Sequence, residues 1–309
     1  MKRKVFGLVL LGLGAFLLVV GVMATVWAPG VVKKTPLDIN QTTYLSGTVK
    51  KLDPATGELV ENPVKVQSIS KTDADASDND YVVFAQTQCV VIDIDNAPNC
   101  VDGDDPRLVS AGTDVFATDR VTALANPDYK GLPPGTPRVE GLQNKWPFDA
   151  EKKSYPVWDG TAGEATDAVY DRTEDLLGVK CYVYIQTIKD APITIAEGIT
   201  GTYDTVITYY IDPKTGAIQQ QKVDMQQYLD DGTQVVDLNI GFTEQQQKDF
   251  ASDTKKNIQM LDMMTVTMPI VGFVGGVLCL LAGGALLLTA RRRKNEGSSN
   301  DKELTGASA

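Results

Sequence analysis

The sequence predicts an α+β protein in which a β-rich extracytoplasmic domain is held between N- and C-terminal transmembrane helices. Three observations carry that expectation. Residues 5–27 and 266–290 are charge-free apolar runs of 23 and 25 residues, each beside a basic cluster. Between them lie segments rich in β-branched and aromatic residues, punctuated by Asp, Pro and Gly turns. Charge is divided unevenly, with 21 basic and 37 acidic residues between the runs, a balance of −16 against −11 for the whole chain.

The first run, VFGLVLLGLGAFLLVVGVMATVW, follows Lys2, Arg3 and Lys4. A bilayer core about 30 Å thick needs roughly 20 apolar residues in a helix. A cleaved signal peptide is the competing reading, with a small-residue pattern at Val22-Met-Ala24, but its apolar core is usually only about 7–15 residues long. A retained helix is therefore expected. The second run, VTMPIVGFVGGVLCLLAGGALLLTA, leads into Arg291, Arg292, Arg293 and Lys294. Basic flanks mark the cytoplasmic side. The expected division is a cytoplasmic tail (1–4), a transmembrane helix (5–27), an extracytoplasmic domain (28–265), a second helix (266–290) and a cytoplasmic tail (291–309). The chain is then a two-pass plasma-membrane protein with both termini cytoplasmic. Gly12, Gly14 and Gly21 in the first span and Gly272 and Gly276 in the second allow close helix packing, although glycine is common in membrane helices anyway.

Within the exterior, residues 28–36 read as an exit from the membrane, and residues 43–52 as a strand. It ends at Asp53-Pro-Ala-Thr-Gly57, where Pro presets one turn position and Gly is free to take positive φ. ELVENPVKVQSIS returns as the next strand. The same recipe recurs at Asp212-Pro-Lys-Thr-Gly216, between TVITYYI and AIQQQKVDM. Residues 81–94 and 178–188 have the composition of buried strands, and residues 233–242 look like the last one. Thr243 and Gln246 then form a capping-box pattern, so a helix is expected to feed the second span, with Pro269 as a kink. The Pro- and Gly-rich residues 126–137 are a candidate boundary that divides the exterior near residue 135.

Cysteine positions are informative. Cys279 lies in the second span, whereas Cys89, Cys100 and Cys181 are external, where disulfides persist. The turn in CVVIDIDNAPNC brings Cys89 and Cys100 together as the candidate disulfide, leaving Cys181 a buried thiol; pairing of Cys181 with either is the rival.

The search for chemistry excludes more than it finds. The absence of histidine removes His-based triads and most zinc sites. There is no nucleophile elbow and no phosphate-binding glycine loop, so no catalytic residue, cofactor or metal site is expected. Asp73, Asp75, Ser77, Asp78 and Asp80 crowd one loop and Asp102, Asp104 and Asp105 another. Counting from Asp73, however, Asp78 and Ala85 stand where a calcium loop needs Gly and Glu. Charged surface loops are expected. An acidic exterior also repels nucleic acid.

Trp146, Phe148, Tyr155 and Trp158 concentrate aromatic side chains among Lys145, Lys152 and Lys153. They are either a core strand with a turn closing the sheet or a ligand-lining patch.

At these residues a likeness becomes specific. Arg120-Val-Thr122, Glu140-Gly-Leu142 leading to Lys145-Trp-Pro-Phe-Asp149, and Lys152-Lys-Ser-Tyr-Pro-Val-Trp-Asp159 resemble, in order, the signature of an actinobacterial envelope family named for the porin PorA. The likeness runs from end to end and includes both spans. That name implies a channel, yet porins cross membranes as closed barrels with apolar residues outward, and here two helices already span. The overall organisation is similar to that of class B scavenger receptors, whose ectodomain carries lipid through an apolar tunnel. That likeness carries over no residue. It implies a protein that binds or transfers a lipid or glycolipid, such as a mycolate-containing envelope glycolipid, with the membrane as partner. A non-catalytic scaffold for envelope-assembly proteins is the alternative, with enzyme and channel ranked below it.

Overall fold

A computed structural model describes residues 2–305, with side chains to Arg291; Met1, residues 306–309 and the side chains of the basic run 292–294 lie outside the described residues. The chain forms two compact units: Lys34–Asn257, and the terminal segments up to Lys33 and from Ile258. The expected boundary near residue 135 is not found. The segment containing it belongs to the sheet unit.

The first unit is one antiparallel sheet of ten strands: β1 (Asn40–Leu52), β2 (Leu59–Asp73), β3 (Tyr81–Ile92), β4 (Leu108–Asp119), β5 (Tyr155–Asp159), β6 (Glu164–Leu176), β7 (Val179–Ala196), β8 (Ile199–Ile211), β9 (Ile218–Leu229) and β10 (Gln234–Phe242). The order is β4-β3-β2-β1-β10-β9-β8-β7-β6-β5. It curls into a half-barrel because alternate residues are apolar on one face only. In β1, Leu45 and Val49 are buried while Ser46 and Thr48 are exposed. A single row of paired residues crosses nine strands on the inner face, from Ile92 through Val64, Gly47, Ile240, Val223, Ile207, Gln186 and Ala168 to Tyr155.

Residues 120–154 bridge the open side. From the β4 edge, Asn126 N donates to Ala117 O at 2.8 Å and Asp119 N to Leu124 O at 2.9 Å; Ala125 N then reaches Gly141 O at 2.8 Å. On the β5 edge, Leu142 N donates to Pro156 O at 2.8 Å and Trp158 N to Leu142 O at 2.9 Å. These rungs satisfy sheet-edge groups that would otherwise face water or another chain. The Pro- and Gly-rich composition is thus that of a strap across a sheet, not of an interdomain linker.

Both expected Asp-Pro turns form. Gly57 and Gly216 take φ of 73° and 74°, and each donates its N–H to the aspartate that opens the turn, at 2.8 and 2.9 Å. Cys89 and Cys100 are joined, with Cα atoms 5.6 Å apart. Cys181 is a free, buried thiol, which burial pushes up to about 12. The last strand leads into α3 (Glu244–Asp262), where Gln246 N donates to Thr243 Oγ1 at 3.2 Å. The capping box is only half made. Gln246 Oε1 accepts from Tyr44 N at 3.0 Å, tying the helix start to β1.

In the second unit, α1 (Lys2–Val26) and α2 (Ala28–Val32) come from the N-terminus. From the C-terminal side come the end of α3, wide π-helical turns at Met263–Thr267 and Val271–Gly275 around α4 (Met268–Ile270), and α5 (Gly276–Thr305). Pro269 therefore sits between two widened turns, which absorb the hydrogen bond that its missing N–H cannot make. Two helices of this unit are long and apolar enough to cross a membrane. They pack antiparallel through glycines. A Cβ on Gly14 would lie 2.8 Å from Gly276 O, one on Gly283 2.9 Å from Gly7 O, and one on Gly21 3.2 Å from Phe273 N. Gly7, Gly14 and Gly21 recur every seven residues, so one seam keeps facing the partner helix. Gly12 lies off that seam, with nothing within 4 Å.

Candidate functional site

Two features of the sheet unit hold chemistry: the filled interior of the half-barrel and a pair of cations, Lys145 and Arg120, that meet at Thr35. The strap supplies the interior. Trp146 N donates to Gly216 O at 2.8 Å and Ala150 N to Pro213 O at 2.7 Å, pinning the strap to the β8–β9 turn. The Trp146 ring is fully buried and lies 4.8 Å from the Tyr209 ring and 5.5 Å from the Tyr184 ring. Tyr155 lies 5.8 Å from Tyr184, edge to face, in the same cluster as Leu142, Val157 and Ile211. Under this layer Gln186 is fully buried. Its amide nitrogen donates to Val157 O and Thr166 Oγ1, both at 2.8 Å, and its oxygen accepts from Tyr209 Oη at 3.0 Å. Burial raises the phenol pKa values of Tyr184 and Tyr209, so both stay neutral donors.

Of the four aromatic residues singled out in the sequence, Trp146 and Tyr155 share this interior cluster. Trp158 packs in another, with Val82, Phe84, Phe116 and Val139, and Phe148 lies under Lys145. They do not line one concavity. An open groove of about 410 Å³ lies elsewhere, beside the disulfide, and is lined by Gln67, Thr87, Gln88, Cys89, Cys100 and Gly112.

Lys145 is the electrostatic exception. Its Nζ donates to Thr35 Oγ1 at 3.3 Å, sits 3.8 Å from the Phe148 ring centroid, and forms no ion pair among the described residues. Burial lowers its ammonium to about 7. The ring face favours the charged form by about 1–2 kcal/mol, which offsets only part of the desolvation. The neighbouring Gln143 Nε2, Asn144 Oδ1 and Trp146 Nε1 are buried without hydrogen-bond partners. In the sequence, Lys145 and Arg120 stand only as members of motifs, and Thr35 carries no signal at all. A lysine inside an aromatic stretch was the available clue.

The acidic loops are spent on turns. Asp73 Oδ1 accepts from Asp75 N at 3.1 Å and Ala76 N at 3.0 Å. Asp78 Oδ1 accepts from Tyr81 N at 2.8 Å and Asp80 N at 2.9 Å, bonds that hold its carboxyl below the usual range. Asp105 chelates the Arg107 guanidinium and is lowered to about 2 by it.

A family model, PorA: Porin PorA, matches residues 6–285, which takes in the sheet unit and most of both apolar helices. The chain belongs to the PorA porin family. No curated protein matches the chain. Membership makes this PorA-family chain an envelope protein, and the two apolar helices at its ends fit membrane anchoring.

Proposed function

We propose that this PorA-family chain is a plasma-membrane envelope protein, held by a helix at each end, that engages an envelope lipid through its water-facing β domain. Catalysis and a strand-built pore are not part of this reading. The observation that carries it is the direction of the strand alternation. Apolar side chains point into the half-barrel and polar ones outward, the reverse of a barrel that meets lipid with its outer face. The basic flanks at Lys2, Arg3 and Lys4 and at 291–294 support cytoplasmic termini and an extracytoplasmic domain.

Trp146 and its neighbours fill the half-barrel over β5 to β8, and a second apolar cluster fills it over β1, β2, β3 and β10, where the scavenger-receptor analogy implied a tunnel. The reading therefore places lipid contact at the headgroup. The test is native mass spectrometry of the full chain extracted in detergent, paired with conductance in planar bilayers. Retained envelope lipid and silent bilayers are expected. Stepwise ohmic conductance would restore the channel reading. Absence of lipid together with a reproducible cross-linked protein would favour the scaffold.

A further inference from the structure

Thr35 is 2% exposed and is gripped by Arg120 from several sides. Thr35 N and Oγ1 donate to Arg120 O at 2.7 and 3.0 Å, and Arg120 Nε donates to Thr35 O at 2.8 Å. Because Lys145 Nζ also bonds Thr35, two cations are held at one small residue.

Among the described residues neither cation is paired with a carboxylate. Arg120 Nη1 donates only to the carbonyls of Asp78 and Asn79, at 3.4 and 3.2 Å, and Nη2 takes part in none of these bonds. The acids of the adjoining turns are engaged elsewhere, Asp119 Oδ1 with the amides of Val121 and Thr122. Asp80 pairs with Lys34 at 3.6 Å, and Asp78 caps the amides of Asp80 and Tyr81. In a domain that is otherwise strongly acidic, an uncompensated and partly desolvated pair of cations is the environment in which an oxyanion gains most. Much of the cations' desolvation is already incurred on folding, and charge-assisted bonds replace weak ones. A guanidinium edge beside an ammonium suits the several acceptor oxygens of a phosphate better than a single carbonyl does.

We propose that Lys145 and Arg120, held side by side by Thr35, form a seat for one phosphate group, supplied by a lipid headgroup or by free phosphate. Only the choice of source rests on the lipid-engaging reading above. Thr35 follows Trp27, the end of the first apolar run, by eight residues, which favours the headgroup.

The experiment is competitive acetylation of the full chain in a neutral detergent at constant ionic strength, with Lys145 followed by peptide mass spectrometry. Inorganic phosphate and dihexanoyl phosphatidate are added separately, with dihexanoyl glycerol as the uncharged control. A filled seat slows Lys145 acetylation at pH 7 by about fivefold, the effect of a one-unit rise in an amine that titrates near 7. Protection by phosphatidate, with or without protection by free phosphate, supports the seat and a lipid source. Protection by free phosphate alone supports the seat and contradicts the lipid source. Protection by neither overturns the seat, even where mass spectrometry finds bound lipid. Thermal shifts give a second readout: phosphatidate should raise the melting temperature of the wild type and leave that of Lys145→Met unchanged.

Discussion

Lys145 sets a pH dependence whose sign follows from its burial. In the native chain its amine loses a proton near pH 7, against about 10.5 when unfolded. Between those values the unfolded chain holds more protons, so stability rises with pH from about 7 upward; below 7 the destabilisation is complete. Lys145→Met is expected to stabilise the protein at pH 6 by more than at pH 9 and to flatten the slope between them, measured by denaturant unfolding in detergent. Gly216 supplies a second test at this scale. Its φ of 74° strains any other residue, and a Cβ there would collide with the Trp146 carbonyl. Gly57 has the same turn and φ, with nothing within 4 Å. Gly57→Ala is expected to cost about 1 kcal/mol and Gly216→Ala more, with a red shift in Trp fluorescence confined to the second variant. Equal costs and unchanged spectra would show that the strap does not depend on that turn.

The seam between α1 and α5 is the clearest prediction at the scale of elements. Gly14→Leu forces the helices apart at Gly276 and is expected to lower the melting temperature in detergent, whereas Gly12→Leu, off the seam, leaves it unchanged. If both variants melt alike, the glycine spacing does not set the packing. Elements that announce themselves through local chemistry were legible in the sequence: the two apolar runs, the Asp-Pro turns, the Cys89–Cys100 neighbourhood and the Thr243 cap. β4 and β6 were not. Leu108–Asp119 and Glu164–Leu176 each carry a long exposed, polar stretch near one edge of the sheet, which weakens the alternating pattern that marks a strand. Residues 126–137 have the composition of a division near residue 135, yet they lie in a strap whose rungs are backbone bonds to distant sheet edges, which composition does not record. Lys145 and Arg120 were visible as motif members, but their meeting at Thr35 depends on contacts 110 and 85 residues apart in sequence.

At the scale of the whole molecule, the proposed placement has helices crossing the membrane at both ends while the half-barrel keeps its polar face in water. The most direct measurement is labelling of single introduced cysteines in intact cells with a charged, membrane-impermeant maleimide. Thr48→Cys sits at an exposed position on the outer face of β1, and Ser298→Cys lies in the C-terminal tail. That placement makes Thr48→Cys reactive in intact cells and Ser298→Cys reactive only after permeabilisation. A shielded Thr48→Cys, or a Ser298→Cys that labels from outside, would contradict it.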